Sequence, residues 1–283
     1  MKCNIFIPSF EGITPAPDVP PEPFQYSTCS SADLYHPKFV EICTKIHKVP
    51  LWHRKLWEWA YIVHHLESAG VLRAGSRGVC FGVGNETLPA YFASRGSEIL
   101  ATDAPPAIGE AEGWSKSGQH FDSKEALYYP KMIERTEFDR LISFKTADMN
   151  QIPIDITGFD YCWSSCCFEH LGSISKGIEF VINSVEKTLV SGGIAVHTTE
   201  FNLSSNTNTI ETGSTVIYRK CDIEEMVRQL QQLGHDTSVI RIAPDISAVD
   251  SYVDVPPYTQ NPHLKLQLAG FVTTSVGIVV RKK

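Results

Sequence analysis

The run Gly78-Val79-Cys80-Phe81-Gly82-Val83-Gly84-Asn85-Glu86-Thr87, followed by Ile99-Leu100-Ala101-Thr102-Asp103, constrains this chain more than any other feature. It reads as a strand, a glycine turn, a helix and a second strand ending on an acid. An open parallel α/β sheet holds a nucleoside in this way. The turn glycines let the backbone approach a ligand, and an acid about twenty residues on can accept hydrogen bonds from ribose hydroxyls. Asp103 also fits an ordinary strand-end aspartate before Pro105-Pro106, but its distance from the glycines favours the ribose role. The turn alone does not choose the nucleoside.

The rest of the chain continues the alternation. Short apolar runs predict strands at 77–82, 98–102, 141–145, 158–163, 193–199, 238–243 and 270–281, with helices at 86–95, 173–189 and 222–233. Asp222, with Glu225 three residues later, reads as a helix N-cap. Upstream, residues 9–28 are proline-rich and read as an irregular arm. A helix follows from Pro37, and another from Trp52 to Ala69 has Leu56, Trp59, Ile62 or Val63 and Leu66 on its apolar stripe. The expected organisation is an N-terminal arm and helical cap over 1–70, then a core over 71–283. Insertions at about 104–137, 202–220 and 244–268 are long enough to be functional lids.

Composition narrows the function classes. A net charge of −7 without a basic stripe argues against nucleic acid, since His53-Arg54-Lys55 is too short to track phosphates. The eight cysteines form no Cys-x-x-Cys pair, and several lie in apolar runs. With no secretory pattern in 1–20 and no apolar run of about 18 residues, a cytoplasmic protein without a transmembrane segment is expected. Cys162, Cys166, Cys167 and His170 lack zinc-site spacing, so no metal is expected.

Several strand ends carry polar or small residues in a familiar order. Gly82-Val83-Gly84, Asp103, Ala147-Asp148-Met149, Phe159-Asp160-Tyr161, Phe168-Glu169-His170-Leu171 and Leu189-Val190-Ser191-Gly192-Gly193 resemble, in order and spacing, class I S-adenosylmethionine-dependent methyltransferases over roughly residues 70–240. The phrase Phe81 to Pro89 resembles a subgroup associated with glycan and surface-polysaccharide pathways. The resemblance implies an α/β, Rossmann-like, seven-stranded and mostly parallel sheet, its last strand antiparallel and helices on both faces. It implies S-adenosylmethionine as cofactor, with Gly82 and Gly84 near the methionine part, Asp103 on the ribose, Asp148 on the adenine amino group and Met149 on the ring. Ser164 and Ser165 would face the transferring methyl, and Phe81, Glu86 and Ala104 complete the expected cofactor contacts. Two positions depart from the family: Cys80 stands where an acid is usual, and Glu86 where a third glycine is usual.

Arg54, Trp57 and Glu58 share a helical face. Arg54 could pair the cofactor carboxylate and Trp57 lid the sulfonium. Alternatively Trp57 is core and Arg54–Glu58 a surface ion pair. Candidate bases for a hydroxyl acceptor are Glu169, His170, His197 and Glu200, with His170 equally readable as a pocket-shaping helix-start residue and His197 as part of an alternating strand. The leading expectation is methyl transfer, at oxygen, to a small molecule or glycan intermediate, with the oligomeric state left open. An NAD(P)-dependent oxidoreductase is the alternative enzyme, disfavoured by Thr87 in place of a dinucleotide-motif glycine and by the lack of Tyr-x-x-x-Lys. A non-catalytic nucleoside-binding or interaction protein of the same fold is the third.

Overall fold

The structure, a computed structural model, describes residues 9–10, 22–106 and 123–283. Part of the expected 104–137 insertion and most of the proline-rich arm lie outside the described residues. In chain order the main sheet comprises β1 Arg77–Phe81, β2 Glu98–Asp103, β3 Ile142–Thr146, β4 Phe159–Ser165, β5 Leu189–Asn202, β6 Asp236–Thr237, β7 Val253–Asp254, β8 Lys265–Leu268 and β9 Phe271–Arg281. Its spatial order is β3-β2-β1-β4-β5-β9-β8-β7, with β6 also paired to β9. The pairs β1–β2, β2–β3, β1–β4 and β4–β5 are parallel, and β9 is antiparallel to β5. The chain therefore winds outward from β1 in one direction, then returns and winds in the other. The fold is Rossmann-like, and its strand order reverses between β1 and β4.

Six of the seven expected strands form within a few residues of their predicted bounds, and the sheet has nine strands rather than seven. The expected strand at 238–243 is the correction. Asp236–Thr237 form the strand there, against Val280 and Arg281; Ser238 adds one backbone bond to Val279 O at 3.0 Å, and Arg241 O accepts Ser27 N–H at 2.7 Å. Further along β9, the outer edge is taken by the N-terminal arm: Cys29 N–H donates to Ser275 O at 2.9 Å and Gly277 N–H to Ser27 O at 2.7 Å. The next stretch pairs with β8. Buried backbone groups need partners, and an open strand edge is a hazard, so three separate segments share one edge. No local pattern reports such a division.

Helices α1 Ser31–Tyr35, α2 Pro37–Lys45 and α3 Arg54–Ser68 form the cap; α4 Leu88–Ser94, α5 Arg135–Leu141, α6 Ile174–Asn183 and α7 Lys220–Gln232 follow within the α/β part. The N-cap of α7 is Arg219, and Asp222 lies at the third helical position, where its carboxylate accepts the Arg219 N–H at 2.8 Å. The core has one layer on each sheet face. One holds Trp57, Tyr61, Phe92, Tyr161 and Trp163; the other holds Phe81, Phe168, Phe180 and Tyr218. Among the described residues no helix is long and apolar enough to cross a membrane.

Helix α3 is enclosed rather than one-faced. Leu56, Trp57, Glu58, Ala60, Tyr61, Ile62, Val63 and Leu66 are all buried, whereas Trp59, expected on the apolar stripe, is only half-buried beneath Lys48. It can lie so close to the sheet because Gly277 of β9 has no side chain. A Cβ there would sit 2.3 Å from the buried Tyr61 ring. We expect Gly277→Ala to destabilise the fold by about 1–3 kcal/mol through overpacking, measured by denaturant titration. An unchanged midpoint would show that α3 shifts freely.

Candidate functional site

Ligands of open α/β sheets bind beyond the carboxyl ends of the strands, where the strand order reverses. Here that point lies between β1 and β4. The backbone after β1 turns through Gly82 at φ +65° and Gly84 at φ +45°, a region that favours glycine. At Gly82 the close approach comes from the protein itself: an added Cβ would lie 2.9 Å from Cys167 Sγ, in the loop after β4. That thiol also donates to the Phe81 carbonyl at 3.2 Å, while the Phe81 ring packs against Phe180.

Asp103, at the end of β2, meets the same turn. Its Oδ2 accepts the Gly84 N–H at 3.1 Å and its Oδ1 the Ala104 N–H at 2.8 Å. The neighbouring strand adds Asp148, whose Oδ1 accepts the Asn150 N–H at 2.8 Å and so caps the short turn Met149–Gln151. This turn brings Met149 Sδ within 3.7 Å of where a Gly82 Cβ would stand. Gly82, Gly84, Asp103, Ala104, Asp148 and Met149 thus lie around one turn.

The two departures from the family pattern touch each other. Cys80 Sγ donates to Glu86 Oε1 at 3.1 Å, and Trp163 Nε1 donates to the same oxygen at 2.6 Å. Burial pushes the Glu86 carboxyl up to about 7. A buried carboxyl thus lies against the Cys80 thiol, from a residue six positions further on.

A polar network joins α3 to the ends of β4, β5 and β9. Glu58 is fully buried and accepts bonds from Lys55 Nζ at 2.7 Å, Ser165 Oγ at 3.0 Å, Cys166 Sγ at 3.1 Å and Ser275 Oγ at 2.5 Å. Burial pushes its carboxyl up, but the Lys55 and Arg54 charges outweigh this and bring it down to about 2. Arg54 pairs with Glu200 at 2.6 Å, not with Glu58. Trp57 turns away from this network into the core and donates its indole N–H to Asp33 Oδ2 at 2.7 Å. Residues sharing one helical face are separated here because both sides of α3 are packed. Trp57 therefore cannot lid the turn.

The candidate bases are likewise divided. Ser164 and His197 lie on the far face of the sheet, with His197 Nδ1 2.7 Å from Ser164 Oγ and Nε2 3.0 Å from Ser184 Oγ. Burial lowers the imidazole to about 3, so the ring is neutral and both its nitrogens are engaged. His170 turns to the Ser214 carbonyl, 2.8 Å from its Nδ1, and shapes a loop. Glu169 is buried, accepts the Thr199 hydroxyl at 2.9 Å, and is pushed above the usual carboxylate range by burial. Glu200 keeps Oε1 without a hydrogen-bond partner, although it is buried. Ser165, unlike Ser164, faces α3.

Sequence reasoning missed Lys55 and Trp163, and treated Glu58 only as a surface partner. A signal existed for Glu58: an acid inside the apolar run Leu56-Trp57-Glu58-Trp59-Ala60-Tyr61 needs buried partners. The three central cysteines part company, Cys162 lying 4.0 Å from His197, Cys166 bonding Glu58 and Cys167 bonding Phe81. Among the described residues no group of three or more His, Cys, Asp or Glu is arranged to hold a metal ion.

No family model matches the chain, and no curated protein matches it in sequence. In three dimensions it is similar to S-adenosylmethionine-dependent methyltransferases. The methyltransferase domain of a bacterial CtHen1-CN aligns with TM-score 0.48 at 13% identity, covering 78% of this chain and 95% of that one. An S-adenosylmethionine-dependent methyltransferase from Mesorhizobium loti aligns with TM-score 0.44 at 12% identity, covering 80% and 97%. A Haemonchus contortus phosphoethanolamine N-methyltransferase 2, in complex with S-adenosyl-L-methionine, aligns with TM-score 0.41 at 15% identity, covering 64% of this chain and 38% of that one.

Proposed function

We propose that this protein is a cytoplasmic S-adenosylmethionine-dependent methyltransferase that methylates a hydroxyl on a small molecule or glycan intermediate. One observation carries the reading. At the reversal of strand order, the acid ending β2 bonds the backbone of the glycine turn after β1, the arrangement that presents a carboxylate to a ribose diol. The donor set fits the cofactor: Asp103 for the ribose, Asp148 for the adenine amino group, Met149 against the ring, and the carboxylate of Glu86 behind the turn. When bound, the cofactor supplies a methyl group on a sulfonium for in-line displacement.

The chain's own residues then have to align an acceptor and take its proton. Ser165 and Cys166, at the end of β4, are held in place by Glu58. Of the four candidate bases, Glu169 fits best: burial raises its carboxyl above its ordinary value and so makes it the more basic. Glu200 is committed to Arg54, and His197 is sealed on the far sheet face.

Isothermal titration calorimetry with S-adenosylhomocysteine tests the reading. The wild-type chain should bind it, and Asp103→Ala should weaken binding by about 10- to 100-fold, the loss of charge-assisted hydrogen bonds. No binding, or equal binding by the variant, would sink the proposal.

A further inference from the structure

The glycine turn is backed by a pair of opposite charges. On one side stands Glu86, with both of its hydrogen bonds, from Cys80 and Trp163, on Oε1. Among the described residues its second oxygen takes no hydrogen bond. On the other side stands Lys55, whose ammonium lies 2.7 Å from Glu58 Oε2 and 3.4 Å from the Ser165 carbonyl. These two contacts leave a third N–H direction, and the side chain is 36% exposed. Arg54, the cation that helix spacing first suggested, is 16% exposed and tied to Glu200. Lys55 acts electrostatically on Glu86, Cys166 and Cys167, so its charge is felt both at the turn and at the end of β4.

We propose that Glu86 and Lys55 form a clamp for the zwitterionic end of an α-amino acid, here the methionine part of the cofactor. Glu86 receives the ammonium and Lys55 the carboxylate, and the proton that Glu86 holds in the free protein passes to solvent as the ammonium arrives. The clamp rests on the cofactor reading above. The carboxyl it uses lies against the Cys80 thiol, 3.1 Å away.

The proton count follows from the groups around Glu86. Those that act on it are Cys80 of β1, Lys55 and Glu58 of α3, Cys167 after β4 and Tyr129 before α5, with the neutral indole of Trp163. Burial raises the two thiols and the Tyr129 phenol away from neutrality. For Glu58 burial is outweighed by Lys55 and Arg54, which hold the carboxyl at about 2. Burial works against the Lys55 charge, but the attraction and hydrogen bond of Glu58, together with Cys166, outweigh it and raise the ammonium. Glu86 is left as the group of this set that changes charge near neutral pH.

Calorimetry on the full chain separates the clamp from the wider reading. The probes are S-adenosylhomocysteine and 5′-methylthioadenosine, which lacks the amino-acid end, in buffers of different ionisation enthalpy at about pH 6 and about pH 8. Wild type should release a proton on binding S-adenosylhomocysteine at the lower pH and not at the higher, with affinity rising between them. Methylthioadenosine should release none. Glu86→Gln and Lys55→Met should each weaken S-adenosylhomocysteine about 10- to 100-fold and leave methylthioadenosine unchanged, which also shows that both variants are folded. Proton release that persists in Glu86→Gln overturns the clamp, as does undiminished S-adenosylhomocysteine binding in either variant; the cofactor reading survives both results. A wild type that binds neither nucleoside overturns the two together.

Discussion

Glu58→Ala should cost about 3–5 kcal/mol of stability, the usual penalty for removing one partner of a buried ion pair. For a chain of this size that is a fall in melting temperature on the order of 10 °C. The cost arises on the partners' side: Lys55 loses its counter-charge, and Ser165, Cys166 and Ser275 lose their acceptor in a buried position. Glu58→Gln keeps an acceptor but no charge and should recover part of the loss. The pH dependence has a definite sign. The folded carboxyl, near 2, lies below its ordinary value of 4.5, so its contribution is fully present above that value and fades as pH falls toward 2. The gap between wild type and Glu58→Gln in thermal melts should therefore narrow across that window. A gap that stays constant, or a melting temperature unchanged in Glu58→Ala, would mean that the network does not hold α3 to the sheet.

Glu169→Gln should lower kcat by about 10²- to 10⁴-fold, the range for losing a general base, with S-adenosylhomocysteine binding intact. Gln can still accept the Thr199 hydroxyl, so the change removes basicity while keeping the local bond. Because burial raises this carboxyl and a base works ionised, wild-type activity should climb with pH through a midpoint above the ordinary carboxylate range. That limb should vanish in the variant. Methyl transfer followed on a panel of hydroxyl-bearing small molecules and saccharides provides the readout. An unchanged kcat would remove Glu169 from the chemistry and return attention to Glu200.

Both predictions come from residues whose chemistry is local but whose partners are distant. The turn at Gly82 and Gly84, the acid ending β2 and the aspartate capping the turn after β3 were legible in the sequence, because each is set by the conformation of a few consecutive residues. Asp222 shows the limit of even that reading. Its side chain does serve a helix start, but three positions further in than the pattern placed it, where it accepts both the backbone N–H and the guanidinium of Arg219, the residue before the helix. The strand at 238–243 failed for another reason: its apolar alternation was real, yet the edge it would have paired with was already held by residues 27–29.

The sequence by itself determined the parallel α/β order, the glycine turn after β1 and the acids at the ends of β2 and β3. These follow from backbone geometry and short-range periodicity, which act within a turn or a strand. Only the tertiary structure decided which partners the buried carboxyls have. Glu86 meets Trp163 across 77 positions of chain, and Glu58 meets Ser275 across 217. It also decided that His197 is a core residue and that Arg54 belongs to Glu200. Adjacent strand residues face opposite sides of a sheet, and packing on both sides of a helix divides what spacing appears to unite. Charge and proton affinity at this site depend on those distant neighbours, and no stretch of the chain carries them alone.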